Sequence, residues 1–250
     1  MSRMEWSSLA RVLAWTLAIT FFFGTVTVLL LSFEVFGSSP PPKPDFADRI
    51  VADFEFQQSQ WPIDLAGTAA FAIGFLALGG LGPVLGRLAD ADDGRRGLVT
   101  ASLLAAGGLG TAAQLLWIGS APVVTDPHYC ECGLLADELM SRITVLNVLQ
   151  GVQTWLTSGA IVAAAPGVIA AGRLGREAGM PGGWLLVSLA LAVVGVIAAV
   201  LPVANISDVS LLLIALIAGV LFPVWAIWLA LRARELWPEP EIEVVAEPSP

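Results

Sequence analysis

The only histidine and both cysteines of this chain lie within one stretch, Asp126-Pro127-His128-Tyr129-Cys130-Glu131-Cys132-Gly133. In an extended segment side chains alternate with period two, which puts His128, Cys130 and Cys132 on one side. Two thiolates and an imidazole suit Cu(I) or Zn(II), with Asp126 or Glu131 as a further ligand. The spacing is Cys-x-Cys, however, not the Cys-x-x-Cys of common redox and zinc motifs, and no second ligand pair follows. In an oxidising compartment the pair is expected instead to form a disulfide, as a tight ring between Cys130 and Cys132 or as links to another subunit. His128 is the only base near the thiols. No Ser/His/Asp set, paired membrane carboxylates or cofactor motif supports catalysis. Copper or zinc at this loop is the one cofactor reading the residues offer.

A second set of residues shares a helical face. At about 100° per residue, Thr144, Asn147, Gly151, Thr154 and Ser158 fall in one sector and Gln150, Gln153 and Thr157 in the next. Val145, Val148, Leu149, Val152 and Leu156 fill the opposite half. Gln114, in the preceding apolar run, lies at similar depth and can join the polar cluster. Groups so placed either hydrogen-bond across packed helices, at about 0.6–2 kcal/mol each, or line a cavity that binds a small polar molecule. No Asp, Glu, Lys, Arg or His falls inside the apolar runs. That argues against an ion-coupled pump or proton relay and favours the packing role.

Such residues need a membrane bundle to position them. Of 250 residues, 56% are hydrophobic and 13% charged, against roughly 45–50% and about 25% in soluble domains. A secreted disulfide scaffold, a disordered chain and a cytosolic enzyme are excluded. The apolar excess is grouped into six runs: Val12–Phe33, Leu65–Leu85, Leu98–Ile118, Val145–Pro166, Trp184–Ala204 and Val209–Leu231. Each is close to the roughly 20 residues that cross a hydrocarbon core. The expected fold is an all-α integral membrane protein, a six-transmembrane-helix bundle over residues 1–231 with outer loops at 34–64 and 119–144. Val12–Phe33 exceeds the roughly 7–15 residues of a signal-peptide core and is read as the first span.

Basic residues orient the spans. With the N-terminus cytoplasmic, Arg3, Arg11, Arg87, Arg95, Arg96, Arg173, Arg176, Arg232 and Arg234 lie inside, and only Lys43, Arg49 and Arg142 outside. This asymmetry predicts both termini in the cytoplasm, in a protein of the cell membrane. Trp6, Trp15, Trp184, Trp228 and Trp237 then fall at the inner interface and Trp61 and Trp117 at the outer one. Net charge is −9, and without a basic stripe no nucleic-acid partner is expected.

Phe46, Ile50, Val51 and Phe54 recur at helical spacing after a stiff Ser38-Ser39-Pro40-Pro41-Pro42 segment. They predict a short amphipathic helix on the outer surface or capping the bundle. Gly86-Arg87-Leu88 and Gly172-Arg173-Leu174 repeat one tripeptide, weak support for duplicated hairpins. Residues 232–250 hold five glutamates among four prolines and are expected to form a disordered acidic cytoplasmic tail. Helices associate in lipid through small residues, which here include Thr16, Thr20, Gly24 and Thr27 in span one and Ser188, Ala192, Gly195 and Ala199 in span five. Gly79-Gly80-Leu81-Gly82 and Gly107-Gly108-Leu109-Gly110 belong to the same class; without a preceding strand or a GxGxxG pattern they are not a nucleotide loop.

The leading functional expectation is a non-catalytic accessory or scaffolding subunit of a membrane complex. Its partners would be the bilayer and other membrane subunits, or further copies of itself. The alternatives are a transporter or channel for a small polar solute, built on the polar face of span four, and an outer thiol or metal site at His128, Cys130 and Cys132.

Overall fold

A computed structural model describes residues 3–35, 46–88, 93–121, 136–201 and 207–237. Among them are α1 (Arg3–Ser32), α2 (Phe46–Leu85), α3 (Asp93–Gly119), α4 (Ala136–Glu177), α5 (Gly182–Val200), α6 (Ser207–Leu216) and α7 (Phe222–Leu236). A π-helical turn, Ile217–Leu221, joins α6 to α7. Six helical stretches are long and apolar enough to cross a membrane, the sixth being α6, the π-turn and α7 together. Helix is the secondary structure such runs can adopt without leaving backbone groups unpaired in an apolar medium.

The helices extend well past the apolar runs. Phe46 to Asp64 is not a separate surface helix: it is the first part of α2, continuous with the apolar part despite Pro62. Phe54 and Trp61 from this extension pack on Leu146 of α4, with Trp117 of α3 and Ala121 just past its end alongside. Likewise α4 starts before Val145 and runs through Pro166 to Glu177. It ends in a Schellman turn, in which Met180 N–H donates to the Gly175 carbonyl at 2.8 Å and Gly179 N–H to Arg176 at 3.2 Å. Gly179 has φ +95°, a left-handed conformation that side chains other than glycine's disfavour. The repeated tripeptides adopt different structures, since Gly86-Arg87-Leu88 is a turn after α2 whereas Gly172-Arg173-Leu174 is mid-helix. Pro223 explains the π-turn: its ring would strike the carbonyl four residues back, and a widened turn gives it room.

Each long helix packs mainly against its chain neighbours, and α7 packs against α1, closing the bundle into a ring. Small residues set the approach. A Cβ on Gly107 would lie 2.6 Å from the Cα of Gly79, so α2 and α3 touch backbone to backbone. Gly24 of α1 faces the Phe71 ring, and Gly67 of α2 faces Thr27. The small face of α5, with Ser188, Ala192, Gly195 and Ala199, is buried.

Several tryptophans are buried among the helices. Trp184 and Trp225 are fully buried, their rings stacked 5.2 Å apart at 14°. Trp184 Nε1 donates to the Trp225 carbonyl at 3.1 Å, Trp225 Nε1 to Ser188 Oγ at 2.9 Å, and Ser188 Oγ to the Trp184 carbonyl at 2.9 Å. This closed polar set ties α5 to α7 with each indole N–H satisfied. Trp237 and Trp61 are also buried, whereas Trp6 is partly buried and stacks under the Arg87 guanidinium at 4.3 Å.

Candidate functional site

The ring of helices surrounds a partly open cavity of about 430 Å³. It takes Phe21 and Val28 from α1, Gln114 and Trp117 from α3, and Ile214, Ile217, Ala218 and Phe222 from the sixth span. From α2 it takes Asp64, Thr68, Phe71, Phe75 and Leu78. These five recur at four- and three-residue intervals, so they form one face of that helix. The α4 wall runs from Gln150 through Gln153, Thr154, Thr157 and Ser158 to Ala160, Ile161 and Ala164. Polar residues thus gather toward the end of the bundle that carries Trp117, and apolar ones toward the end that carries Arg87.

Aromatic rings form the apolar part. Phe21 makes edge-to-face contacts with Phe75 at 5.1 Å, Phe222 at 5.3 Å and Phe71 at 5.7 Å between centroids. Gly74 and Gly110 seat the Phe21 and Phe75 rings, because a Cβ at either position would overlap them. Closer to the Arg87 end the core is filled by Leu17, Leu81, Leu85 and Leu103, all fully buried.

The polar wall is only partly satisfied by the protein. Trp117 Nε1 donates to Asp64 Oδ2 at 2.6 Å, and Gln153 Nε2 donates to Gln114 Oε1 at 3.5 Å, the upper limit for such a bond. Thr154 Oγ1 donates to the Gln150 carbonyl of its own helix at 2.8 Å. The side chains of Thr68, Gln150, Thr157 and Ser158 have no protein partner among the described residues. Thr68 and Gln114 are each only 5% exposed. Gln150 and Thr154 are exposed and Gln153, Thr157 and Ser158 half-buried, so these side chains stay open to partners from outside the chain, whether water or solute.

Of the polar residues picked out from sequence, Gln114, Gln150, Gln153, Thr154, Thr157 and Ser158 converge on the cavity. Thr144 and Asn147 are not among the lining residues, and Thr144 Oγ1 donates to the Met140 carbonyl at 2.8 Å. They share the angular sector of the lining residues but lie one to two turns nearer the start of α4. Trp155 points away from the cavity at 64% exposure. His128, Cys130 and Cys132 lie outside the described residues.

Asp64 is the residue that sequence reasoning missed. Hydropathy starts the second run at Leu65, making Asp64 a boundary charge, and this boundary carboxylate lines the cavity. It adds an ionisable group to a set of candidate residues that was otherwise uncharged. The available signal was its register with Thr68, Phe71 and Phe75. The chain matches no protein-family model, no curated protein and no solved structure.

Proposed function

We propose that this is a multi-pass protein of the cell membrane that binds a small hydrogen-bonding solute in the central cavity and passes it through the bundle. The observation that carries the reading is the convergence on one cavity of three hydroxyls and the Gln150 carboxamide that have no partner among the described residues. Its size lies within the roughly 300–1,000 Å³ of small-molecule sites. If these groups served only as interhelical glue, they would be bonded to neighbouring helices, and Gln153 to Gln114 is the single such contact among the α4 residues lining the cavity. The arginine asymmetry supports placing the Trp117 end, where the polar groups gather, on the outer side.

The test is a stability screen of the purified full chain against uncharged, cationic and anionic solutes. A ligand at 100 times its Kd adds about 2.7 kcal/mol, a clear rise in unfolding midpoint. At least one solute should stabilise the protein, and Gln150→Leu/Gln153→Leu should lose that response while Asn147→Leu keeps it. A double variant that responds like the parent, or a parent that no solute stabilises, removes the reading.

A second reading, an accessory subunit, draws support from α3. Its exposed Ala101, Ala105, Gly108 and Ala112 form a smooth strip that another membrane helix can approach closely. A partner that co-purifies in mild detergent and is lost when Gly108 is replaced by Phe would favour it.

A further inference from the structure

The cavity is chemically one-sided. Among the described residues Asp64 is the only ionisable group lining it, and no Lys, Arg or His does. Trp117 holds one oxygen of that carboxylate at 2.6 Å, which fixes its orientation on the α2 face. The other oxygen, Oδ1, has no protein partner among the described residues. Next to it the carboxamides of Gln114, Gln150 and Gln153 supply neutral acceptors as well as donors. At the far side the wall becomes aromatic, with Phe21, Phe71, Phe75 and Phe222.

From this arrangement we infer that the solute is an amphipathic organic monocation, with its ammonium head against Asp64 and its apolar body against the phenylalanines. The inference rests on the cavity reading above and adds its charge and polarity. An ammonium supplies the counter-charge that the described wall lacks, and the half-buried position of Asp64 reduces solvent screening of that interaction. An anion would meet the carboxylate with no basic group to offset the repulsion. A fully polar solute would leave the aromatic end unmatched.

The test measures binding of three isosteric probes to the full chain in nanodiscs: 2-phenylethylammonium, neutral 2-phenylethanol and anionic phenylacetate. The Gln150→Leu/Gln153→Leu protein serves as the background for partition into lipid. The parent should bind the ammonium at least tenfold more tightly than the alcohol, and phenylacetate most weakly. Asp64→Asn should bring ammonium and alcohol to parity with alcohol affinity retained, while Asp64→Glu restores the preference. The retained alcohol affinity separates loss of charge from loss of fold. Equal binding of ammonium and alcohol by the parent, or preference for phenylacetate, overturns the charge assignment and leaves the cavity reading standing. If none of the three binds but an uncharged or anionic solute stabilises the parent in the screen above, the charge assignment alone falls. Silence in both assays removes both.

Discussion

Gly107 and Gly108 are adjacent in α3 with opposite surroundings, and replacing each with alanine isolates the packing that holds α2 to α3. A Cβ on Gly107 would stand 2.6 Å from the Cα of Gly79 and 2.7 Å from the Phe75 carbonyl oxygen. Both are backbone atoms, so no side-chain rotation relieves the overlap; the two helices must separate by about 1 Å to regain van der Waals distance. Overpacking of this kind costs about 1–3 kcal/mol, against a helix-propensity gain of about 1 kcal/mol for Gly→Ala. A Cβ on Gly108 meets nothing within 4 Å, so only the propensity gain applies there. Gly107→Ala should therefore end up less stable than Gly108→Ala by about 1–3 kcal/mol. Reversible unfolding in mixed detergent micelles, followed by tryptophan fluorescence, measures both. Equal stabilities, or a more stable Gly107→Ala, would refute the backbone-to-backbone approach.

Two further outcomes are expected. Ser188→Ala removes the acceptor of the buried Trp225 Nε1 and should destabilise by about 1–3 kcal/mol. Combined with Trp225→Phe, which deletes the donor, its cost should shrink, and a double-mutant cycle with no coupling would argue against the bond. For orientation, reporter tags before Arg3 and after Trp237 should both be shielded from an impermeant reagent in intact cells, while a tag between Gly119 and Ala136 reacts. The reverse pattern would overturn the assignment of sides.

Six helices were legible because hydropathy registers length and apolarity, which are what a spanning helix needs. Their ends were not, because hydropathy measures the solvent rather than the backbone, and α2 and α4 continue as helix through polar residues and through Pro62 and Pro166. The α4 wall was legible from its 3.6-residue period. Thr144 and Asn147 lie off the cavity because an angular sector says nothing of position along the axis. Asp64 is hard to read because a charge beside an apolar run marks the edge of that run, while its register with Thr68 and Phe71 puts it on the lining face. Position in the chain does not show the packing of Trp184, which depends on the direction its side chain takes, here into α7. The π-turn has Pro223 as its only mark in the sequence.

The seam between α1 and α7 has a consequence for the order of biosynthesis. A ribosome delivers α1 first and α7 last among these helices, yet the cavity needs Phe21 and Val28 from the one and Phe222 from the other. Until the sixth long helical stretch is in place, the α1 surface that will meet α7 has no protein against it, and the polar face of α4 opens onto an unfinished wall. The chamber is thus the last part of the fold to be completed. A chain halted before α7 carries most of the polar groups of the site but no enclosure in which they could hold a solute.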